Sequence, residues 1–192
     1  MEAILLASAN PHKIEELWQI LEPFGIELKS THDFPGGKDV EENQPGLEGN
    51  ALKKARYWNQ FTGLPALADD TGLEVDALDG APGVYSARYA GKDATYEQNV
   101  AKLLRDLDGI KKRTARFRTV IAFVDGENEN LFEGICEGEI IHKPKGENGF
   151  GYDPVFRPAG YKKTFAELSP EVKNRISHRG RALFKFLEFL KG

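Results

Sequence analysis

Hydrophobic positions along the chain switch repeatedly between an extended and a helical period. Residues 4–7 form an unbroken apolar run that reads as a buried strand, and Ile14, Leu17, Trp18 and Leu21 then recur at helical spacing. Asn10 is a good N-cap and Pro11 suits the first helical position, so a helix starts there. A second strand is predicted over residues 26–29. A polar, glycine-containing stretch follows, and then a helix over residues 46–61 with Leu47, Ala51, Ala55, Trp58 and Phe61 inward.

The apolar run from Ala66 ends in Asp69 and Asp70. Leu73, Val75 and Ala77 then alternate with Glu74 and Asp76, which predicts strand, tight turn at Thr71-Gly72, strand. A Gly80-Ala81-Pro82-Gly83 loop lies just beyond. A helix over residues 94–107 turns Val100, Leu103, Leu104 and Leu107 inward, and alternating runs over 115–123 and 131–141, joined by a turn at 125–128, predict a hairpin. A last helix, N-capped by Ser177, faces Leu183, Phe184, Leu187 and Leu190 inward. Strand–helix alternation with an antiparallel pair gives an α/β fold, a mixed sheet with helices packed against it. No linker is long enough to separate independent domains, so residues 1–192 read as a single domain.

Charge narrows the possible partners. Twenty-six basic against thirty acidic residues leave a net charge of −4, which advertises no nucleic acid; any polyanion must meet local positive charge. The single cysteine, Cys136, excludes an internal disulfide and a cysteine-rich zinc cluster and fits a reducing compartment. Residues 1–7 carry no basic leader and too short an apolar run for a signal peptide or membrane span, so a cytoplasmic protein is expected.

Three stretches carry candidate chemistry. At the first, a strand delivers a helix N-terminus whose backbone N–H groups, with Ser8, Asn10 and Lys13 beside them, suit a phosphate, although Asn10 and Pro11 would also serve simply to cap the helix. At the second, adjacent carboxylates on extended backbone point to opposite faces, and Asp70 is favoured as the one facing a ligand. Glu41 and Glu42 become relevant if Asp70 needs help with a cation, since magnesium takes one or two carboxylates together with water and phosphate oxygens. The basic residues Lys53, Lys54 and Arg56 lie on the second helix, where one directed at a triphosphate would balance its charge. The third stretch, residues 146–156, flanks Phe150 with glycines, one way of holding a flat base, while Tyr152 suits sheet packing. It matches neither a dinucleotide fingerprint nor a Walker-type loop.

Taken together, the motifs resemble the inosine/xanthosine triphosphate pyrophosphatase family over essentially the whole chain. The resemblance rests on six ordered stretches: Ser8-Ala9-Asn10-Pro11-His12-Lys13, Asn50-Ala51-Leu52-Lys53-Lys54-Ala55, Ala68-Asp69-Asp70-Thr71-Gly72-Leu73, Gly83-Val84-Tyr85-Ser86-Ala87-Arg88-Tyr89, Gly149-Phe150-Gly151-Tyr152-Asp153-Pro154 and Ser177-His178-Arg179-Gly180. One departure is Gly49, where relatives often carry an acidic side chain; Glu48 points elsewhere on a helix.

The resemblance implies two lobes of an elongated sheet with a nucleotide cleft between them, and magnesium-dependent hydrolysis of ITP, dITP and XTP to monophosphate and pyrophosphate by a homodimer. Ser8, Ala9, Asn10, Pro11, His12 and Lys13 would cradle the phosphates, with Lys54 near the scissile bond. Asp70 would hold the metal with Glu41 or Glu42 and act as, or orient, the base. Thr71, Phe150, Gly151, Tyr152, Asp153, Lys173, His178 and Arg179 would contact nucleotide or base. Donors such as Lys173 and Arg179 aimed at the 6-position favour the oxo group of hypoxanthine and xanthine over the amino group of adenine. The other readings are an aspartyl-phosphate-forming hydrolase, against which the absence of an Asp-x-Asp-x-Thr arrangement speaks, and a non-catalytic nucleotide-binding module.

Overall fold

The computed structural model describes residues 3–192. Met1 and Glu2, the start of the stretch read above as too short for a leader, lie outside the described residues. The strands are β1 (Ile4–Leu6), β2 (Leu28–Ser30), β3 (Ala66–Val75), β4 (Pro82–Gly83), β5 (Thr114–Asp125), β6 (Asn128–Ile140) and β7 (Phe156–Pro158). The helices are α1 (Pro11–Leu21), α2 (Leu47–Thr62), α3 (Tyr96–Asp106), α4 (Pro170–Ile176) and α5 (His178–Leu190). Among the described residues the strands form one mixed sheet in the order β2-β1-β3-β5-β6-β7, with β4 added on β3. β1 runs parallel to β2 and β3, while β4 on β3 and β7 on β6 are antiparallel. The α/β class expected from the sequence is the one observed.

The chain divides into two compact units, each assembled from separated segments. The first takes the chain up to Asp70 with Thr119–Gly134 and Arg179–Gly192; the second takes Thr71–Arg118 and Ile135–His178. In the first, Ile4 and Leu6 of β1 pack with Leu17, Ile20 and Leu21 of α1 and with Leu183, Phe186 and Leu187 of α5. The second is built on Leu73, Val75, Leu103, Phe117, Phe156 and Phe165. Burying each of these large side chains contributes about 1.5–3 kcal/mol, which anchors the polar residues at their ends.

Several inward positions differ from the periodic reading, and each at the margin of a helical stripe. Trp18 is exposed and Ile20 buried; Phe61 is exposed, stacked on Tyr57 with ring centroids 6.1 Å apart; Phe184 is exposed and Phe186 buried. A large apolar residue one step from the true stripe satisfies the period but meets solvent. Ser177 closes α4 at its C-terminus, its N–H donating to the Lys173 carbonyl.

The expected turn at Thr71-Gly72 does not exist, because β3 runs unbroken from Ala66 to Val75. Gly72 has no positive φ; it is needed because β4 lies against it, where a Cβ would come within 2.8 Å of the Gly83 carbonyl oxygen. Gly72→Ala is therefore expected to destabilise the protein by about 1–3 kcal/mol, since rigid backbone must shift. A chemical-denaturation midpoint unchanged from the parent would contradict this account.

Candidate active site

Helix α1 begins as predicted. The Asn10 side-chain oxygen accepts from the N–H groups of His12 (3.0 Å) and Lys13 (3.3 Å), and Ser8 Oγ accepts from the Asn10 N–H at 3.2 Å. These first-turn amides are thus engaged by the cap. The attraction this corner offers an anion rests on helix polarity and on the Lys13 ammonium, rather than on a set of open N–H groups. Ala9, Pro11 and His12 are exposed around it.

Alternation along β3 sends the two aspartates in opposite directions. Asp69 is fully buried: its Oδ2 accepts from Arg179 Nη2 (3.0 Å) and Nε (3.2 Å) and lies 3.3 Å from Lys13 Nζ. Arg179 Nη1 also donates to Glu16, one turn along α1 from Lys13. Burial opposes the charge on Asp69, but Lys13, Arg179 and Lys54 outweigh it and hold the carboxyl far below the usual range. Burial likewise opposes the Arg179 charge, and Asp69 and Glu16 outweigh it. The structure thus employs Arg179, which the sequence places at a base edge, as an anchor for Asp69 and Glu16.

Asp70 faces α2, where its Oδ2 accepts from Asn50 Nδ2 at 2.9 Å. Lys54 lies four residues after Asn50, hence on the same helical face. Its buried ammonium donates to the Asp69 carbonyl at 2.6 Å and to Glu42. Glu42 reaches this position because the preceding loop is tied down: Asn50 Oδ1 accepts from Gln44 N at 2.9 Å, and Lys53 Nζ donates to the Glu41 carbonyl (2.8 Å) and to Asn43 Oδ1 (2.9 Å). Gly49 belongs to the same device. A Cβ there would lie 2.8 Å from Gln44 Cβ, so glycine lets the loop lie close to α2.

The two carboxylates of this corner are held differently. Burial pushes the Asp70 carboxyl up, with Glu42 adding to the effect and Lys54 opposing it. Burial also works against Glu42, yet Lys54 and Lys13 prevail and its carboxyl sits below the usual range. Lys54 is disfavoured by burial but raised by Glu42, Asp69 and Asp70, so it stays charged. Two carboxylates pushed apart around one buried ammonium give a permanent anion beside a group able to take a proton.

Glu41 does not belong to this set: it is exposed and its Oε2 accepts from Asn43 Nδ2 at 3.1 Å. Among the described residues no three His, Cys, Asp or Glu side chains converge as a metal cluster. The pair Asp70 and Glu42 still fits magnesium, which takes one or two protein carboxylates and completes its shell with water and phosphate oxygens.

The second unit gathers another group of the expected residues. Lys173, on α4, is buried and donates to Asp153 Oδ2 at 2.5 Å; the Phe150 N–H donates to the same oxygen at 2.9 Å. The ammonium also lies 5.1 Å from the Phe150 ring centroid. Gly149 permits this turn, since a Cβ there would meet Asp153 Oδ2 at 2.1 Å and its φ is +73°. Gly151 sits in the same loop at φ +62°. Tyr152 is core: its hydroxyl donates to the Ser86 carbonyl at 2.8 Å, and burial pushes its phenol up. His178 is buried and stacked on Phe117, centroids 4.5 Å apart and planes 15° off parallel. Thr71 is half-buried on β3 directly after Asp70.

Sequence reasoning missed the roles of Glu16, Asn50 and Asp69. Glu16 left a signal, an acid beside Leu17 on an otherwise apolar helical face. Asn50 left another, a polar side chain one step before the inward Ala51.

A mixed α/β fold with a buried lysine between unequal carboxylates, next to a cationic helix start, defines a class of protein suited to phosphate-ester chemistry. The comparisons with known proteins specify it further. The Ham1 family model matches residues 4–189, and the chain belongs to that family. It is 52% identical over 190 residues to a dITP/XTP pyrophosphatase of Desulforamulus reducens, covering 97% of this chain and 94% of that one. It is 48% identical to the dITP/XTP pyrophosphatase of Thermoanaerobacter pseudethanolicus, covering 97% and 96%. A HAM1 protein structure from Coxiella burnetii superposes with a TM-score of 0.90 at 43% identity, covering 100% of this chain and 99% of that one.

Proposed function

We propose that the protein is a nucleoside triphosphate pyrophosphatase acting on dITP, XTP and ITP, with magnesium as its metal. The observation that carries this reading is the cluster in which the buried Lys54 ammonium donates to Glu42 and to the Asp69 carbonyl while Asn50 holds Asp70 beside them. Water attacks the α-phosphorus, the bond from that phosphorus to the α–β bridging oxygen breaks, and the nucleoside monophosphate and pyrophosphate separate. Asp70, whose raised pKa brings it nearer neutrality, takes or orients the proton of the water. Lys54 stays cationic, and it and Lys13 would offset charge on the phosphates. Magnesium held by Asp70 and Glu42 would polarise phosphate oxygens and acidify water.

Base choice falls to Lys173 and Phe150. Asp153 holds the Lys173 ammonium in place as a fixed cationic donor that would suit a 6-oxo acceptor, while the ring offers a stacking face. Adenine would set its amino donor against them, and an unpaired buried donor costs about 1–3 kcal/mol, tenfold or more in rate. The same reading carries a homodimer working in the cytoplasm, where the nucleotide pool lies. Among the described residues no helix is long and apolar enough to cross a membrane.

Incubation with ITP, XTP, dITP, ATP or GTP and magnesium, reading pyrophosphate and orthophosphate separately, tests the proposal. ITP, XTP and dITP are expected to yield pyrophosphate at least about ten times faster than ATP. Orthophosphate as the product, or ATP as the better substrate, would overturn it.

A further inference from the structure

Away from the residues used above, the second unit carries a hollow of about 400 Å³ with an unusual charge. The segment between α3 and β5 contributes Lys111 and Arg113, the chain beyond β6 contributes Lys143 and Lys145, and β7 contributes Arg157. The one carboxylate in the wall, Glu139, is already taken by Arg157, whose Nη2 and Nε donate to it at 2.6 and 3.0 Å. Ile140, Ile141 and His142 complete the lining.

Arg113 is the fixed point of this wall. Its side chain is buried, 8% exposed, and donates to the carbonyls of Leu107 (2.7 Å), Ile110 (3.1 Å) and Ile141 (3.4 Å). Those contacts are to carbonyl dipoles; among the described residues no carboxylate lies within ion-pair distance of it, nor of Lys111, Lys143 or Lys145. A buried cation held by carbonyl dipoles, with Lys111, Lys143 and Lys145 around the same hollow and Glu167 acting on Lys145 from outside its wall, leaves the hollow net positive and attractive to an anion. The chain as a whole is acidic, at −4, so this concentration of positive charge is local.

We propose that the hollow is a second anion site for a compact, multiply charged phosphate anion of the pyrophosphate type. Its lining holds no Phe, Tyr or Trp, the single ring being the His142 imidazole, and five cations surround a volume that suits one compact anion, so a phosphate group fits better than a nucleic acid strand. The proposal stands independently of the hydrolytic reading, because none of its residues is used there.

The test is calorimetric titration of the full-length protein with inorganic pyrophosphate, beside Lys143→Glu/Lys145→Glu and Lys13→Ala. Both lysines of the double variant are exposed, so it should fold, which circular dichroism checks. Wild type is expected to bind one equivalent more than the double variant, or to lose at least about tenfold in affinity at that step on charge reversal. Lys13→Ala retains this step, and the double variant retains the parental rate of nucleotide hydrolysis. Identical isotherms for wild type and the double variant would overturn the proposal, as would preferential, lysine-dependent binding of a single-stranded oligonucleotide.

Discussion

Asp70→Asn is expected to lower nucleotide hydrolysis by about a hundredfold to ten-thousandfold, the span of a positioned general base, while leaving the fold as stable as the parent or more so. The two halves have one cause. Burial makes the Asp70 carboxylate unfavourable in the folded protein, so its charge opposes folding whenever the group is ionised. Asparagine removes that charge and still offers Asn50 an acceptor. An ordinary structural aspartate would show the opposite, with activity and melting temperature falling together. Steady-state pyrophosphate release and thermal unfolding on one preparation separate the cases. A variant that melts well below the parent would refute the assignment.

Arg179→Ala is expected to cost about 3–5 kcal/mol, the penalty for leaving buried charge without its partner. For a chain of this size that is a fall in melting temperature of roughly 6–20 °C. Arg179→Lys should recover only part of the loss, because an ammonium cannot grip Asp69 with two donors while reaching Glu16. Lys13 first and then Arg179 hold the Asp69 carboxyl down, so this cluster also contributes to stability in acid. The folded pKa of Asp69 lies below its unfolded value, so the stabilisation is complete above about pH 4 and disappears as pH drops through the folded value. Thermal melts of parent and alanine variant across pH 2–7 should show the gap between them narrowing below about pH 4. Equal melting temperatures at neutral pH would remove the ion pair from the account.

Much of this was legible in the residues. The strand–helix opening at Asn10-Pro11, the hairpin over β5 and β6, and the lysine at position 54 follow from periodicity, capping and motif order, all local signals. What escaped depends on partners distant in the chain. Gly72 looks like a turn because the strand that requires its missing Cβ arrives only at Gly83. The pairing of Arg179 with Glu16 and Asp69 is invisible in the sequence because those acids lie in other segments. Trp18, Phe61 and Phe184 each obey the helical period and still face water. Which of Glu41 and Glu42 joins the cluster was undecidable by spacing and is set by Lys54.

The interleaving of the two units carries a consequence for biosynthesis. Asp69 leaves the ribosome 110 residues ahead of the arginine that pairs with it, and α5, which closes the first hydrophobic core, is made after every other element of that core. Until α5 emerges, a nascent chain therefore carries an open apolar groove and an aspartate with only part of its cationic surroundings, and this corner matures once that late segment folds back.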